Sequence, residues 1–373
     1  MTEPSTAPAR LRRVAFDRLA GWAGDDHAAA FRAFRLSAAR ILDSLPKTRA
    51  LRLDGAALRA PADAALALSA GLDGPAARAF FERWFEPARI LPREGAGFVT
   101  GYYEPEVEGS RVRTPDFPVP LHRRPDDLVE IGPEDDRTGL DPSLTWARRA
   151  DGRLVEHPDR GAVMAGALDG RGLELVFLKS WVEAFFIHVQ GSARVRLPDG
   201  AVMRVGFDGK SGHAYFPIAR VLVEKGLMTA AEATADVLRA WLEANPDEAG
   251  AVMARNRSYI VFRETPVPDP ALGPLAAAQV PLTPGRSLAV DRHLMTFHMP
   301  IFVETSLDGE TAGQKLPFRR LMIAQDTGSA ILGPSRGDIF FGTGEEAWAK
   351  AARVRHPARF TVLRPRPEPT GGP

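Results

Sequence analysis

The stretch AQDTGSAILGPSRGDIFFGTG, residues 324–344, contains two aspartates in glycine-rich surroundings. Asp326 and Asp338 lie twelve positions apart, and each is close to strongly apolar residues. Short apolar runs bounded by glycine are typical of buried β-strands. The stretch therefore predicts two strands that carry acidic side chains near their ends, and the function of these carboxylates has to be explained.

Local sequence alone offers two explanations for the aspartates. Asp326-Thr327-Gly328 matches the signature triplet of aspartic proteases, but those enzymes need two carboxylates that share one proton. No second Asp-Thr/Ser-Gly triplet occurs in the chain, which argues against a protease. Aspartate beside glycine is also a common turn former, because its carboxylate caps nearby backbone N–H groups. A purely structural role therefore stays open at this level.

The composition is that of an ordinary globular protein. The chain has 373 residues, of which 45% are hydrophobic and 25% are charged, enough for two or three domains with real cores. Its 48 basic and 47 acidic residues give a formal charge of +1, so no bulk field attracts nucleic acid or an anionic membrane. We expect no nucleic-acid partner.

The residues that usually bind metals or anchor lipids are missing or scattered. Cysteine is absent, which excludes disulfides, a thiol nucleophile and a lipid-anchor cysteine within this chain. The eight histidines show no HxH or HExxH spacing, so we expect no metal and no other cofactor. Asp17 and Arg18 interrupt the N-terminal apolar residues, so no signal peptide is expected in this sequence, and no apolar run is long enough to span a membrane.

Apolar periodicity predicts helices early in the chain and strands later. Spacings of three and four residues favour helices over 24–44 and 74–87, whereas the aromatic and β-branched stretch 97–104 favours a strand. The polar, proline-rich stretch 115–158 shows too little periodicity for an assignment. From about residue 285 short apolar runs between glycine and proline turns predict an all-β region, a small barrel or sandwich.

The central region combines a predicted hairpin with two predicted helices. Alternating Phe185, Ile187 and Val189 indicate a strand, followed by a hairpin that turns through residues 198–200. Thr229 and Glu232 have the spacing of a capping box ahead of a helix over 233–244. Asn245 and Pro246 indicate that another helix begins immediately afterwards.

Several segments, in the same order along the chain, resemble the membrane-bound lytic murein transglycosylase A family. QDTGSAILGPSRGDIFFGTGEEA, with RSLAVDRH before it, resembles that family's three-aspartate domain, and the three aspartates are Asp291, Asp326 and Asp338. The other similar segments are TGYYEPEVEGSRVRTPDFPVPLHRRP (100–125), FFIHVQGSARVRL (185–197), GKSGHAYFPIARVLVEKG (209–226) and NRSYIVF (256–262).

The resemblance implies a mainly β fold with flanking helices. It is a double-psi β-barrel that carries an inserted, β-rich second domain, with substrate in the groove between them. Residues 1–104 would supply the N-terminal helices and the first barrel strand, 105–272 the inserted domain and 273–365 the rest of the barrel. Residues 366–373 are expected to form a disordered tail.

The resemblance also implies an activity, the cleavage of the β-1,4 bond between N-acetylmuramic acid and N-acetylglucosamine with formation of a 1,6-anhydro end. The sugar's own C6 hydroxyl is the nucleophile, so one carboxyl group can act first as acid and then as base. Asp338 is the implied catalytic residue, and the apolar Ile339, Phe340 and Phe341 around it would raise its pKa. Arg336 would lower that pKa, so we expect its side chain to point away.

The remaining site residues are implied by the same resemblance. Asp326 would support Asp338 as a nearby charge or accept a hydrogen bond from sugar, and Asp291 would be structural. We expect Glu104 at the rim of the site and His188 as a packed strand residue. The residues expected to contact substrate are Thr100, Tyr103 (favoured over Tyr102), Gln190, Gly191, Ser192 and Gly328.

The expected partners are peptidoglycan glycan strands and other cell-wall enzymes, with the protein acting as a monomer. Intact site segments favour residence in the periplasm, with association with the outer membrane as a further option. Two other functions stay open. One is a muramidase that uses water to complete the reaction, and the other is a non-catalytic peptidoglycan-binding or scaffold protein.

Overall fold

A computed structural model of the protein describes residues 8–309 and 314–366. The predicted disordered tail, 366–373, lies outside the described residues except for Arg366. None of the helices in the described ranges is both long and apolar enough to cross a lipid bilayer.

The strands run along almost the whole described chain. In order they are β1 (Ala9–Arg13), β2 (Phe85–Pro92), β3 (Phe98–Glu104), β4 (Glu106–Ser110), β5 (Val119–His122), β6 (Leu128–Glu130), β7 (Trp146–Ala150), β8 (Arg153–Val155), β9 (Glu174–Leu178), β10 (Ser192–Arg196), β11 (Val202–Lys210), β12 (Ile260–Thr265), β13 (Ser287–Val290), β14 (Pro300–Asp308), β15 (Lys315–Asp326), β16 (Arg336–Thr343), β17 (Arg355–Pro357) and β18 (Arg359–Pro365).

The helices fall mainly in the N-terminal quarter and in the centre of the chain. They are α1 (His27–Asp43), α2 (Arg59–Ala67), α3 (Gly74–Trp84), α4 (Arg160–Met164), α5 (Trp181–Gln190), α6 (Ala219–Glu224), α7 (Ala235–Ala244), α8 (Pro246–Ala254) and α9 (Glu345–Ala351). The predicted helices over 24–44 and 74–87 are confirmed by α1 and α3, and the predicted start at Asn245 is confirmed by α8.

The chain divides into two compact units. The first comprises the described residues of Met1–Tyr103, Ala271–Gly342 and Ala349–Pro373, and the second comprises Glu104–Pro270 and Thr343–Trp348. The first unit contains a nine-stranded sheet of order β1-β2-β18-β14-β15-β13-β16-β3-β17. The second contains a six-stranded sheet of order β12-β11-β10-β4-β9-β5 and a three-stranded sheet, β6-β7-β8.

The core of the first unit forms where helices α1 and α3 cover the sheet. Phe31 and Phe34 of α1 are fully buried. Phe31 meets Phe80 edge to face at a centroid distance of 5.0 Å, and Phe34 meets Phe85 of β2 at 5.7 Å. Such aromatic pairs add specific geometry to the burial of apolar area, the main stabilising contribution.

Gln325, which directly precedes Asp326, anchors strand β15 to helix α1. It is fully buried, and its Nε2 donates to the carbonyl of Ala33 at 3.1 Å and to Ser37 Oγ at 2.9 Å. Successive side chains of a strand point to opposite faces. This alternation is interrupted at Asp326, because the register of β15 against β13 shifts between Leu288 and Ala289.

The predicted strand at residues 185–189 is wrong, because the segment forms helix α5. Its apolar run is buried almost all around, and such a run has no periodicity that separates helix from strand. The ends decide the structure: Ser180 caps the helix by accepting from the N–H of Glu183 at 3.2 Å, and Gly191 ends it with φ 80°. The hairpin that follows is confirmed, with β10 antiparallel to β11.

Two further predictions differ from the structure. The contacts of the Thr229–Glu232 capping box form, but they close a turn, and helix α7 begins only at Ala235. The region after residue 285 is not all β, because helix α9 follows strand β16. The predicted strands of that region are otherwise confirmed, from β13 to β18.

Candidate active site

Asp326 and Asp338 flank a single residue of the strand between them. Ala289 of β13 pairs with Asp326 on the parallel strand β15 and with Asp338 on the antiparallel strand β16. Residues in register on adjacent strands point to the same face, and neighbouring strands lie about 4.8 Å apart. The register of β13 against β15 shifts between Leu288 and Ala289, so the nearness of the two carboxylates rests on their interactions: the charge of Asp338 acts on Asp326, and both carboxylates act on Tyr102.

Asp338 experiences two opposing influences on its protonation. Its side chain is 18% exposed, and burial raises its pKa above the ordinary aspartate value. The Arg336 guanidinium, which donates from Nη1 to Oδ1 at 2.8 Å, and the backbone N–H of Thr100 act in the other direction. The pKa of Asp338 stays raised, because the burial effect is the larger one.

The expectation that Arg336 points away from Asp338 is wrong. The two residues are separated by one position on β16, so their side chains leave the same face of the strand. Arg336 also donates from Nη2 to Thr100 Oγ1 at 2.7 Å, and its guanidinium lies over the ring of Phe98 at 5.7 Å. These contacts hold it between strands β16 and β3.

Asp326 is held by donors from two separate segments. Tyr102 Oη donates to Oδ2 at 2.9 Å, and the N–H of Ala277 donates to Oδ1 at 3.2 Å. Burial raises the pKa of Asp326, these hydrogen bonds and one from the backbone of Thr327 oppose the rise, and the charge of Asp338 adds to it. Burial also raises the pKa of Tyr102 well above its usual value, which keeps the hydroxyl protonated as a donor.

The sequence favoured Tyr103 as the tyrosine of the site, but the structure places Tyr102 beside the aspartates. Thr100 and Tyr102 alternate on one face of β3, and both contact the carboxylate cluster or its arginine. The Tyr102 ring also packs against Phe340 at a centroid distance of 5.2 Å. Tyr103, on the opposite face, is only 5% exposed. Thr100 and Tyr103 are three positions apart, so strand alternation alone puts them on opposite faces of β3. The two residues therefore could not both face the site.

Asp291 makes the contacts of a structural turn. Its Oδ1 accepts from the N–H of His293 at 2.9 Å and its Oδ2 accepts from the N–H of Gly333 at 2.8 Å. The residue is 6% exposed. Since both oxygens are used on backbone donors, Asp291 ties the end of β13 to the loop that precedes β16.

The expectation that Glu104 lies at a rim is wrong, because its side chain is completely buried in the second unit. Arg204 Nε lies 2.7 Å from Oε1, while Arg194 Nε and Thr343 Oγ1 donate to Oε2 at 3.0 and 2.8 Å. A carboxylate so surrounded by donors is a structural ion-pair centre. His188, also in the second unit, is packed as expected but on helix α5, where its ring stacks on Phe262 at 5.5 Å.

The other predicted substrate contacts are dispersed along the chain. Gln190 and Gly191 end helix α5 and Ser192 begins β10, all in the second unit. Gly328 lies in an exposed turn after β15, closed by a hydrogen bond from the N–H of Ile331 at 3.0 Å. The role of these residues in binding stays a prediction.

The cluster in the first unit supplies the parts of an acid–base site. It contains a carboxyl group with a raised pKa, a cation beside it, and a second carboxyl group whose oxygens are engaged by donors. Within the described ranges no three histidine or acidic side chains are arranged to hold a metal ion. A carboxyl group with a raised pKa can donate a proton and accept it again, and Asp338 is the candidate for this role.

Comparisons of the chain with family models and with solved structures agree on one family. Residues 98–263 match the MltA specific insert domain and residues 286–364 match the 3D domain. A membrane-bound lytic murein transglycosylase of known structure from Agrobacterium tumefaciens is 40% identical, with a TM-score of 0.87 over 95% of this chain and 97% of that one. The MltA structure from Neisseria gonorrhoeae is 30% identical, with a TM-score of 0.80 over 98% of this chain and 94% of that one.

Curated relatives match over a shorter stretch. Membrane-bound lytic murein transglycosylase A of Vibrio cholerae is 32% identical over 222 residues, which is 58% of this chain and 58% of that protein. The Escherichia coli K12 protein of the same name is 30% identical over 273 residues, 72% of this chain and 66% of its own length. The aligned part thus spans less than two thirds of these curated relatives.

The fold is therefore that of a mainly β lytic transglycosylase-like protein, a double-psi β-barrel carrying an inserted domain, as expected from the sequence. The chain belongs to the membrane-bound lytic murein transglycosylase A family.

Proposed function

We propose that the protein is a peptidoglycan lytic transglycosylase that cleaves the β-1,4 bond between N-acetylmuramic acid and N-acetylglucosamine and leaves a 1,6-anhydro-N-acetylmuramic acid end. The observation that carries the proposal is the raised pKa of the largely buried Asp338 carboxyl beside Arg336. The names of the relatives agree with this activity. A structure of E. coli MltA with bound chitohexaose, 25% identical to this chain, supports a β-1,4-linked glycan as ligand.

In the first half of the proposed reaction Asp338 acts as a general acid. Its raised pKa keeps a protonated fraction available, and the proton passes to the glycosidic oxygen as the bond from C1 to that oxygen breaks. The carboxylate that remains is stabilised by Arg336 and by the N–H of Thr100. The two groups that oppose the raised pKa in the resting site thus stabilise the ionised product of the proton transfer.

In the second half the same carboxylate acts as a general base. It removes the proton of the C6 hydroxyl of the muramic acid residue while O6 attacks C1, so the C1–O6 bond forms and Asp338 is protonated again. The proton balance closes on one residue, and no water is consumed. A glycosidase that uses water needs a second carboxylate as base or nucleophile.

The contacts of Asp326 favour a reaction with one catalytic carboxyl. One of its oxygens accepts from Tyr102, and the other accepts from the N–H of Ala277. A carboxylate engaged in this way is a weak base and a poor nucleophile. Asp326 therefore acts through its charge on Asp338 or as an acceptor for a sugar hydroxyl.

The test is digestion of purified peptidoglycan in water enriched in ¹⁸O, followed by mass spectrometry of the released fragments. We expect anhydro ends that weigh one water less than reducing ends and carry no ¹⁸O. The control is the Asp338→Asn variant, which should release nothing. Reducing ends that contain ¹⁸O would establish a muramidase, and binding without any release by the unaltered protein would establish a scaffold protein.

We also propose that the protein acts as a monomer in the periplasm, where its substrate is found. Light scattering of the purified protein tests the first part. Cell fractionation with N-terminal sequencing of the native protein tests the second. A native protein recovered with the cytoplasmic fraction would contradict this location and weaken the choice of substrate.

A further inference from the structure

A cavity of about 630 Å³ lies in the first unit, beside strands β1, β2 and β18. Four arginines line it, Arg12, Arg18, Arg89 and Arg359, and the lining contains no acidic residue. The proposed reaction uses none of these arginines. An aqueous cavity with four guanidinium groups is a strong candidate for anion binding, because arginine forms bidentate hydrogen bonds with carboxylates and phosphates.

Strand register brings three of these arginines to one face. Arg12 of β1 is directly opposite Arg89 of β2, and Arg89 is directly opposite Thr361 of β18. Arg359 lies two residues before Thr361 and so shares its face. Like charges directly opposite each other on antiparallel strands destabilise a sheet. A bound anion relieves this repulsion.

The protein neutralises only part of this charge. Glu304 forms an ion pair with Arg89 at 3.0 Å, and both side chains are largely buried. Arg18 has only the exposed Asp17 near it, at 4.0 Å. Four arginines against Glu304 and Asp17 leave a local charge of 4 − 2 = +2 around the cavity.

Two buried polar atoms at the cavity are left without a partner. Ser335 Oγ and Arg89 Nε are both buried, and neither has a hydrogen-bond partner among the described residues. A buried donor without a partner costs about 1–3 kcal/mol. Both atoms belong to residues that line the cavity, and a ligand that enters it can accept hydrogen bonds from them.

The size and the walls of the cavity favour an organic anion over an inorganic one. At about 30 Å³ per water molecule, 630 Å³ corresponds to the volume of about 20 waters, far more than one phosphate ion needs. Of the apolar residues in the lining, Leu91 shares the face of Arg89 on β2, whereas the side chains of Ile90 and Phe360 belong to the core on the opposite face. Guanidinium groups beside aliphatic surface suit a short peptide that carries free carboxylates.

We propose that this cavity binds the carboxylates of a short acidic peptide, and that the peptide is the stem peptide of peptidoglycan. The identity of the peptide rests on the proposed function, whereas the carboxylate chemistry rests on the cavity alone. Ser335 directly precedes Arg336, and its carbonyl accepts from the N–H of Phe98 at 2.9 Å. The cavity therefore adjoins the residues that hold Arg336.

The first experiment measures binding of the free tripeptide L-Ala-γ-D-Glu-meso-diaminopimelate to the full chain by calorimetry. The test variant is Arg12→Gln combined with Arg359→Gln, since both side chains are exposed and their replacement should leave the fold intact. We expect binding to weaken by at least about tenfold, as the loss of charge-assisted hydrogen bonds implies. The control for net charge is Arg13→Gln, compared with Arg359→Gln alone, because each removes one positive charge; Arg13 lies on the opposite face of β1, where it pairs with Glu86 at 3.1 Å.

A second measurement compares peptide-bearing glycan with glycan stripped of its peptides as substrates. The double variant should show a raised KM for the peptide-bearing substrate only, with kcat unchanged on both. Circular dichroism confirms the fold of each variant, and Arg359→Gln alone replaces the double variant if that fails to fold.

The possible outcomes distinguish the cavity proposal from the proposed function. Failure of the tripeptide to bind, in a protein that still makes anhydro ends, overturns the cavity proposal alone. Binding of the tripeptide by a protein that makes no anhydro ends overturns the proposed function and leaves a carboxylate site. Tight binding of inorganic phosphate or of phosphatidylglycerol vesicles, without binding of the tripeptide, overturns the peptide assignment in favour of a phosphate site. Equal loss in the Arg13→Gln control also overturns it, because the effect would then be one of net charge.

Discussion

Arg336 donates a hydrogen bond to Asp338 across one pleat of the same strand, with 2.8 Å between Nη1 and Oδ1. A general acid beside a guanidinium is unusual, since the cation favours the ionised carboxylate. Burial opposes this effect and keeps the pKa raised. In the proposed reaction, this pair would let Asp338 be protonated before bond cleavage and stabilised as an anion during it.

Replacing Asp338 with asparagine should abolish the release of anhydro ends. The amide keeps the shape of the side chain but cannot transfer the proton in either direction. General acid–base catalysis contributes about 10²–10⁴-fold, and we expect a loss at the upper end because one group serves both steps. Turnover of purified peptidoglycan, followed by mass spectrometry, measures it. Activity close to that of the unaltered protein would assign the chemistry to another residue.

The Asp326→Asn variant should lose less activity than Asp338→Asn and should change the pH profile. The negative charge of Asp326 favours the protonated form of Asp338, so its removal lowers the pKa of Asp338. Asp338 then loses its proton at lower pH, so the alkaline limb of the pH profile of kcat/KM shifts to lower pH. An equally inactive but folded Asp326→Asn protein would mean that the two aspartates have exchanged roles.

Removing the charge of Arg336 should move the alkaline limb in the opposite direction. In Arg336→Gln the raised pKa of Asp338 rises further, because burial remains and the cation is lost. The carboxyl group stays protonated to higher pH, while kcat falls because the anionic form is less stable. Arg336→Lys is the matched control, which keeps the charge and should hold the limb near its original position. If the alkaline limb of the pH profile stays at the same pH in both variants, Arg336 does not influence the pKa of Asp338.

The two adjacent tyrosines provide a matched pair. Tyr102→Phe removes the donor to Asp326 Oδ2, which raises the pKa of Asp326 and frees one of its oxygens. We expect kcat/KM to fall about tenfold, the effect of losing a hydrogen bond to a charged group. Tyr103→Phe should leave kcat/KM of the folded protein unchanged, since Tyr103 faces away. A larger loss of kcat/KM in Tyr103→Phe than in Tyr102→Phe would instead make Tyr103 the tyrosine of the site.

Replacing Glu104 with glutamine should destabilise the second unit strongly without altering catalysis by the folded protein. Breaking a buried ion pair leaves the arginines uncompensated and costs about 3–5 kcal/mol. Glu106→Gln is the control, because its pair with Arg196 is partly exposed and contributes at most about 1 kcal/mol. Urea unfolding monitored by fluorescence measures both. Equal unfolding free energies for the two variants would contradict the structural role of Glu104.

Sequence patterns predicted those features that depend on neighbours along the chain. The strands that carry Asp326 and Asp338 follow from apolar runs between glycines, and the turn contacts of Asp291 agree with the role expected for it. Helix α5 was missed, although Ser180, Glu183 and Gly191 are ordinary start and stop signals. The strand prediction relied on the alternation of Phe185, Ile187 and Val189 and did not take these capping residues into account.

Features that depend on distant partners could not be predicted in this way. Glu104 is buried because Arg194 and Arg204 reach it from 90 and 100 residues away. No local pattern shows that a charged residue after two tyrosines has such partners. The i, i+2 spacing of Arg336 and Asp338, by contrast, was available, and it indicates a common face once β16 is predicted as a strand.

The cluster around Asp326 and Asp338 is assembled from parts that are far apart in the chain. Tyr102 and Asp326 are separated by 224 residues, and Thr100 and Arg336 by 236. Contacts of such long range form late, because a large loop has to close before they can stabilise anything. During synthesis the ribosome releases Tyr102 long before Asp338 exists, so an incomplete chain contains no working acid–base pair. Under the proposed function, the nascent chain could therefore not cut glycan before the segment that carries Asp338 has been made and folded.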